Sequence, residues 1–352
     1  MLRWLRDAGA EVSRVSLRAR GNGEWYVVAR TPIASGERVL AIPLHCVATD
    51  EHKPLVQFVL DECVDPNSQW RSYLDALPRR FPHHPSSFTN SEMALLDGSF
   101  VAMEARAARA TWASLAVMSR SFAIGNRRAL IPLVDMIDHR DPPETDWDVE
   151  GEMLVLTALR SYAAGEEIHD NYGEKSNSRL LSSYGFCDAS NPHDEARIMI
   201  DGASLPVVPR LDDGDMRKLL AFLRHRSLDS SCDHNRMLAP VSLENETSAV
   251  RALESAARAA RNGFATAIAD DERLLQRRLS INARNAILAR MSEKRALEWI
   301  LNFAATVLPR LQVDHDTFID AVTNSNWPSI PFDAYLRSVA LGISRAAIAP
   351  PR

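Results

Sequence analysis

Paired cysteines are missing from this 352-residue sequence, which has four cysteines and no CxxC motif. Because Cys46, Cys63, Cys187 and Cys232 are far apart, the sequence indicates neither a zinc cluster nor a disulfide framework. We therefore predict no metal site and a reducing, intracellular environment. We expect a cytoplasmic location, and the sequence leaves an organelle or the nucleus open.

Long apolar runs and an excess of basic residues are missing too. No run is long enough to span a bilayer, and the first residues, MLRWLRDAGAEV, carry acidic side chains where a signal peptide would be apolar. Lys and Arg number 41 against 46 Asp and Glu, so the net charge is −5. The sequence therefore predicts neither a membrane-spanning segment nor a broad nucleic-acid-binding surface.

The first part of the sequence mixes strand and helix patterns. EWYVVAR (24–30) and RVLAIP (38–43) are β-branched runs separated by a turn, and both predict strands. The alanine-rich segment EARAARATWASLAVMSR (104–120) predicts one long helix.

The pattern changes after about residue 205, where the sequence becomes helical almost throughout. We therefore predict an α+β protein with two domains. The first, residues 1–205, is β-rich and has a helical insert at about 50–120. The second, residues 206–352, is all-α.

Polar residues that could carry chemistry concentrate in three segments. MSRSF (118–122) ends the alanine-rich helix. LIPLVDMIDHR (130–140) is an apolar strand that runs into acidic residues and a histidine. GEEIHDNYGEKSNSRLLSSYGF (165–186) contains two Tyr-Gly pairs on either side of a polar turn.

Each segment, taken alone, also fits a structural role. Asp138 and His139 fit a turn at the end of a strand. Tyr172 and Tyr184 fit core positions with hydrogen-bonded hydroxyls. Arg120 fits the last turn of a helix, where a cation is favourable.

Together and in this order, the segments resemble the SET-domain protein methyltransferases. The shared pattern is Ser-Arg-x-Phe, then Pro-Leu-x-Asp-Met-x-x-His, then Gly-Glu-Glu-x(4)-Tyr-Gly-x-x-Ser-Asn. The resemblance is strongest to the branch of the Rubisco large-subunit methyltransferase. DDERLLQRRLSINARNAILARMSEKRAL, in the helical half, resembles the substrate-binding domain of that branch.

The resemblance implies a β-rich SET domain and a protein-lysine N-methyltransferase that uses S-adenosyl-L-methionine. It also implies that the helical domain docks a folded, non-histone protein substrate. Methyl transfer to an amine requires alignment, a deprotonated acceptor and a channel without water, and it needs no metal.

The resemblance implies cofactor contacts at five positions. Arg120 would face the carboxylate of S-adenosylmethionine. Asp138 and His139 would hold its amino-acid end and adenine. Tyr184 and Phe186 would pack against the cofactor.

The resemblance also implies how the acceptor is held. Tyr172 would be the catalytic residue that orients the amine towards the methyl group. Phe122 and Val134 would shape the substrate channel, and they match the lysine-methylating members. Histidine-methylating relatives carry Asn and Trp there, so lysine is the predicted acceptor and histidine an alternative.

Three positions depart from the family pattern. Asp138 replaces an Asn, which removes amide donors and adds a charge. Tyr26 and Val28 replace a glycine and a basic residue near the first hairpin. These departures keep open a second prediction, a catalytically weakened SET-fold module whose helical half still binds a partner protein.

Overall fold

The computed structural model describes residues 1–21, 24–107, 110–228, 239–323 and 332–348, so Cys232 lies outside the described part. The chain divides into two compact units. The first consists of Met1–Ser87, Ala107–Lys175 and Ser182–Gly185. The second consists of Phe88–Arg106, Ser176–Leu181 and Phe186–Arg352. The division at residue 205 stays a prediction, because compact units and sequence domains need not coincide.

Strands dominate the first unit. They are β1 (Val15–Ala19), β2 (Trp25–Ala29), β3 (Arg38–Pro43), β4 (Ala48–Thr49), β5 (Ser121–Ile124), β6 (Arg127–Leu130), β7 (Asp138–His139), β8 (Thr145–Glu150), β9 (Met153–Ala158) and β10 (His169–Asp170). Antiparallel pairing gives a β1-β2 hairpin and two sheets with the orders β3-β9-β8 and β4-β6-β5. β7 and β10 pair in parallel. The strands predicted at 24–30 and 38–43 are confirmed as β2 and β3.

Apart from α1, the helices lie in the insert and in the second half of the chain. In chain order they are α1 (Leu2–Asp7), α2 (Leu55–Val64), α3 (Arg71–Leu74), α4 (Asn90–Ala94), α5 (Phe100–Ala107), α6 (Trp112–Arg120), α7 (Asn177–Tyr184), α8 (Gly214–Arg226), α9 (Leu243–Asn262), α10 (Ile268–Leu275), α11 (Ile281–Leu311), α12 (His315–Thr323) and α13 (Asp333–Ile348). The hairpin β11 (Ala196–Ile200) and β12 (Ala203–Val207) precedes α8.

The core of the first unit forms where apolar faces of the sheets meet α6. Leu40 on β3 and Leu156 on β9 are paired and at most 1% exposed. α6 contributes Ala113, Ala116 and Val117 to the same core, at the spacing of one helix face. This packing fixes the C-terminal end of α6, and with it Arg120.

The single long helix predicted over 104–120 is wrong. Thr111 has extended backbone angles (φ −96°, ψ 160°) and begins α6 as its N-cap. Its hydroxyl accepts the backbone N–H of Ser114, and the Ser114 hydroxyl accepts the N–H of Thr111. Such a reciprocal cap starts a new helix, and it outweighs the helix propensity of the neighbouring alanines.

The second unit is organised by α9 and α11, whose apolar faces share one core with β11 and α8. Two groups of buried charges connect its helices. Arg224 on α8 binds Glu246 on α9 at 2.7 Å, and the Tyr335 hydroxyl of α13 donates to the same carboxylate. Breaking such a buried pair costs several kcal/mol, so it fixes which helices pack together.

The second group of buried charges joins α10 to α11. Asp271 on α10 accepts from Arg290 and Lys294 on α11, each at 2.6 Å, and both Asp271 and Lys294 are 0% exposed.

Nowhere in the described part of the chain is a helix long and apolar enough to cross a membrane. Within the described ranges, no group of His, Cys, Asp or Glu side chains has the arrangement of a metal site.

Glu293 on α11 is a buried carboxyl with two donors. It accepts the backbone N–H of Phe100 at 2.9 Å and the hydroxyl of Ser178 at 2.7 Å. Burial raises the pKa of Glu293 to about 7, because the two hydrogen bonds only partly replace the lost water. Near neutral pH this carboxyl is therefore partly protonated.

We expect Glu293→Gln to stabilise the protein above pH 7. The folded state raises the pKa of Glu293, so the protonated form's contribution is complete near pH 4 and is lost as the pH rises through about 7. Gln stays neutral, and the variant should therefore gain up to about 3 kcal/mol in free energy of unfolding at pH 8.5 relative to wild type. Urea denaturation at pH 5 and pH 8.5 measures this. A variant less stable than wild type at pH 8.5 would contradict it.

Candidate active site

A cleft of about 440 Å³ opens in the first unit, and all its lining residues belong to that unit. They come from the three polar segments of the sequence and from β5, β6 and β8. They are residues 118–123, Arg128, Asp135, Trp147, residues 171–173, Lys175, Ser183 and Tyr184. The volume suits a small molecule.

Tyr172 is held at the cleft by two hydrogen bonds to the segment around β7. Its hydroxyl donates to the carbonyl of Ile137 at 2.9 Å, and its backbone N–H donates to Nδ1 of His139 at 3.1 Å. The phenol oxygen donates its one proton to the carbonyl of Ile137, so any further hydrogen bond at this oxygen is one that it accepts. Burial raises the pKa of the Tyr172 phenol far above its ordinary value, so the hydroxyl stays protonated.

The two Tyr-Gly pairs bring their tyrosines together. The rings of Tyr172 and Tyr184 lie 4.6 Å apart at 37°. Gly173 and Gly185 both have positive φ, +93° and +82°, which favours glycine, so the chain turns directly after each tyrosine. A side chain at Gly185 would also approach the backbone carbon of His83 at 3.1 Å.

Arg120 is a nearly buried cation on the cleft wall. Its Nη1 donates to the carbonyl of Asp135 at 2.6 Å and lies 3.8 Å from the carboxylate of the same residue. Tyr73, fully buried on α3, donates its hydroxyl to that carboxylate at 2.8 Å. Burial raises the pKa of Asp135 to about 6, and Arg120 and Tyr73 partly oppose this. Tyr73 and Asp135 therefore position the guanidinium.

Two buried atoms of this group make no hydrogen bond to any described residue: Nε of Arg120 and Oδ1 of Asp135. Buried polar atoms are usually satisfied, so unsatisfied ones in a cleft point to a missing partner. Arg120, Arg128 and Lys175 line the cleft with one carboxylate, Asp135. The site thus fits a ligand that carries an anionic group, as the amino-acid end of S-adenosylmethionine does.

Asp138 and His139 lie on the parallel pair of β7 with β10. In register, Asp138 pairs with His169 and His139 with Asp170. Since Nδ1 of His139 accepts from Tyr172, the neutral ring carries its proton on Nε2. The carboxylate of Asp138 is about half exposed and accepts from Arg20 at 2.5 Å.

Two family models match this sequence. The SET domain model covers residues 24–173, and the Rubisco LSMT substrate-binding model covers residues 206–297. The chain carries a SET domain and a Rubisco LSMT substrate-binding domain. The recognition of this branch and the predicted α+β fold are thereby confirmed.

Named relatives are protein methyltransferases. The chain is 26% identical to the chloroplastic [fructose-bisphosphate aldolase]-lysine N-methyltransferase of Arabidopsis thaliana, over 85% of this chain and 81% of that protein. It is 30% identical to the human actin-histidine N-methyltransferase over 55% of this chain, and it spans only 40% of that relative.

Solved structures share the fold. Rubisco LSMT bound to AdoMet has a TM-score of 0.71 at 18% identity, covering 96% of this chain and 98% of that one. The SET domain of LSMT bound to lysine and AdoHcy has a TM-score of 0.70 at 20% identity, covering 88% of this chain and 91% of that one.

The predicted channel residues occupy different places in this SET domain. Phe122 lines the cleft, and its ring lies 6.2 Å from that of Trp147 at 89°. Val134 is 0% exposed and is not one of the described residues that line the cleft. Phe186 belongs to the second unit, so its place beside the cofactor stays a prediction.

Trp147, Tyr73 and Arg20 were missed by sequence reasoning. Trp147 is the one large aromatic in the polar strand TDWDVE, and this was the available signal. Tyr73 had no such signal, because an amphipathic helix explains it equally well. Arg20 precedes β2 by a few residues and reaches the site only through the hairpin.

Tyr73→Phe should destabilise the SET domain more at pH 8 than at pH 5. Because the folded state raises the pKa of Asp135, ionisation costs stability as the pH rises through about 6, and the Tyr73 hydroxyl offsets part of that cost. We expect a loss of about 1.5–3 kcal/mol at pH 8 and about 1 kcal/mol at pH 5. Urea denaturation at both values measures it, and an equal loss at both would contradict the coupling.

Proposed function

We propose that the protein is an S-adenosylmethionine-dependent protein-lysine N-methyltransferase. The observation that carries this is the arrangement of Tyr172 in the cleft, where its hydroxyl donates to the carbonyl of Ile137, together with the nearly buried cation Arg120 on the same cleft wall. The SET domain, the methyltransferase relatives and the neighbours solved with AdoMet or AdoHcy support the same activity.

S-adenosylmethionine, when bound, supplies a methyl group on a positively charged sulfur. Tyr172 then acts as a fixed dipole whose oxygen accepts from the acceptor amine and orients its lone pair. The hydroxyl needs no reorganisation, because Ile137 already holds its proton. Tyr184, whose ring lies 4.6 Å from that of Tyr172, limits the positions available to the amine.

Arg120 would bind the carboxylate of the cofactor. Its guanidinium is fixed by Asp135, which is in turn fixed by Tyr73, so little side-chain entropy is lost on binding. A charge-assisted contact in a nearly buried position is among the stronger polar interactions. Asp138 and His139 would hold the ammonium and the adenine, as the resemblance implies.

The lysine must be neutral when it accepts the methyl group. Desolvation by Phe122, Trp147, Tyr172 and Tyr184 and the cation Arg120 lower the pKa of a lysine that enters the cleft. No protein nucleophile or metal is required for this step.

Histidine is the second candidate acceptor, because actin-histidine N-methyltransferases are also relatives, 30% identical over 55% of this chain. Phe122, which lines the cleft, favours lysine, as the resemblance implies. In either case the substrate is a protein, docked by the helical domain that matches the Rubisco LSMT substrate-binding model. The non-catalytic alternative keeps this docking and lacks turnover. An intracellular, cytoplasmic location stays part of the proposal.

Tyr172→Phe should abolish methyl transfer and leave cofactor binding within about threefold of wild type, because only the oxygen that orients the amine is lost. Transfer of labelled methyl groups from S-adenosylmethionine into host lysate proteins, followed by mass spectrometry, measures turnover and distinguishes lysine from histidine. Tyr162→Phe is the matched control: Tyr162 is a buried tyrosine of the same unit that is not among the described residues lining the cleft, and the variant should retain turnover. Wild-type turnover in Tyr172→Phe would refute the assigned role.

Arg120→Met should weaken binding of S-adenosylmethionine and S-adenosylhomocysteine by roughly 10- to 100-fold, because it removes a charge-assisted hydrogen bond. Calorimetry on wild type and variant measures this. Absence of binding by wild type at millimolar cofactor would sink the enzyme proposal and leave the interaction module. Equal affinity in both proteins would show that Arg120 does not contact the cofactor.

A further inference from the structure

Two positions that depart from the family pattern, Tyr26 and Asp138, meet at one side chain, Arg20. The Nη2 atom of Arg20 donates to Oδ2 of Asp138 at 2.5 Å and to Oε1 of Glu167 at 2.5 Å. The guanidinium also lies over the ring of Tyr26, 4.4 Å from its centroid. Arg20 directly follows β1, so the first hairpin supplies both the cation and its aromatic platform.

Arg20 acts on the segments that hold Tyr172. Asp138 is paired with His169 in the β7-β10 ladder, and Glu167 lies two residues before His169. The next residue on β7, His139, binds the backbone of Tyr172. The Arg20 guanidinium therefore lies at the N-terminal ends of both β7 and β10.

Charge balance explains why a cation is needed there. The oxygens of Asp138 and Glu167 bind one nitrogen, so they lie within about 5 Å of each other and would repel without it. The side chains of Arg20 and Asp138 are 37% and 48% exposed, and half-exposed pairs contribute little to stability. The role of the Arg20–Asp138 ion pair is therefore to hold the Asp138 carboxylate in place and to offset part of its charge.

We propose that Arg20 is a positioning residue of the cofactor site, and this inference rests on the proposed function. By holding Oδ2 of Asp138, Arg20 leaves Oδ1, which takes no hydrogen bond from the described residues, to accept from the α-ammonium of the cofactor. The Asp at 138 and the Tyr at 26 are thus one coupled change: Asp adds a charge, Arg20 offsets part of it, and Tyr26 supports Arg20.

Calorimetry with S-adenosylhomocysteine tests the positioning role of Arg20. This ligand is suitable because its amino-acid end is a zwitterion, so its net electrostatic attraction to the site is small. We expect Arg20→Met to weaken binding about tenfold in the wild-type background and less than twofold in an Asp138→Asn background. Arg20→Lys, which keeps the charge and a donor, should restore affinity to within about threefold of wild type. Tyr26→Ala should weaken binding about threefold, and Tyr26→Phe should not change it.

Arg14→Met is the matched control, since Arg14 binds Glu37 at 2.7 Å with similar exposure elsewhere in the first unit. It should leave affinity unchanged, and neither arginine variant should shift Tm by more than about 2 °C. Arg20→Met with wild-type affinity, or with the same loss in the Asp138→Asn background, would overturn the inference while the proposed function stands. Wild type that fails to bind at millimolar ligand would overturn both.

Discussion

The parallel pairing of β7 with β10 is the constraint on which the site depends. It brings together the 130–140 and 165–186 segments, which are more than twenty residues apart in the chain. When Asp138 pairs with His169, the Nδ1 atom of His139 can accept the backbone N–H of Tyr172. The carbonyl of Ile137 can then accept the Tyr172 hydroxyl. The pair has only two residues on each strand, so side chains must supply the rest of its stability. The two Tyr172 hydrogen bonds to the segment around β7 are such contacts, whereas the half-exposed ion pairs around Arg20 fix the position of Asp138.

Arg120 is fixed by a second, independent chain of contacts. α6 packs its alanine face into the core and ends at Arg120, where Asp135 and Tyr73 hold the guanidinium. The burial that raises the pKa of Asp135 also places Arg120 in surroundings of low polarity, where it binds an anionic group more strongly than at the surface. A cation from one element and a hydroxyl from another thus reach one cleft.

Much of the fold and part of the candidate site were predictable from local sequence patterns. The β-branched runs gave β2 and β3 correctly, and the order of three motifs identified the fold and the residues Arg120, Phe122 and Tyr172, which the structure brings to one cleft. The prediction of one long helix over 104–120 failed because the N-capping side chain of Thr111, which begins a new helix, outweighs the helix propensity of the alanines. Prediction also failed for Tyr73, Trp147 and Arg20, because their contacts join segments distant in sequence and no local periodicity encodes them. In the sequence, Asp138 and Tyr26 are two separate departures from the family pattern. In the structure, both contact Arg20.

Methyl transfer requires that the cofactor occupy this cleft in a productive pose. A crystal structure of the full chain grown with S-adenosylhomocysteine tests that most directly. The account predicts ligand density in the cleft of the first unit, with the carboxylate at Arg120, the ammonium at Asp138 and the sulfur facing the side of the cleft formed by Tyr172. An empty cleft at saturating ligand, or ligand bound away from Arg120 and Tyr172, would contradict it.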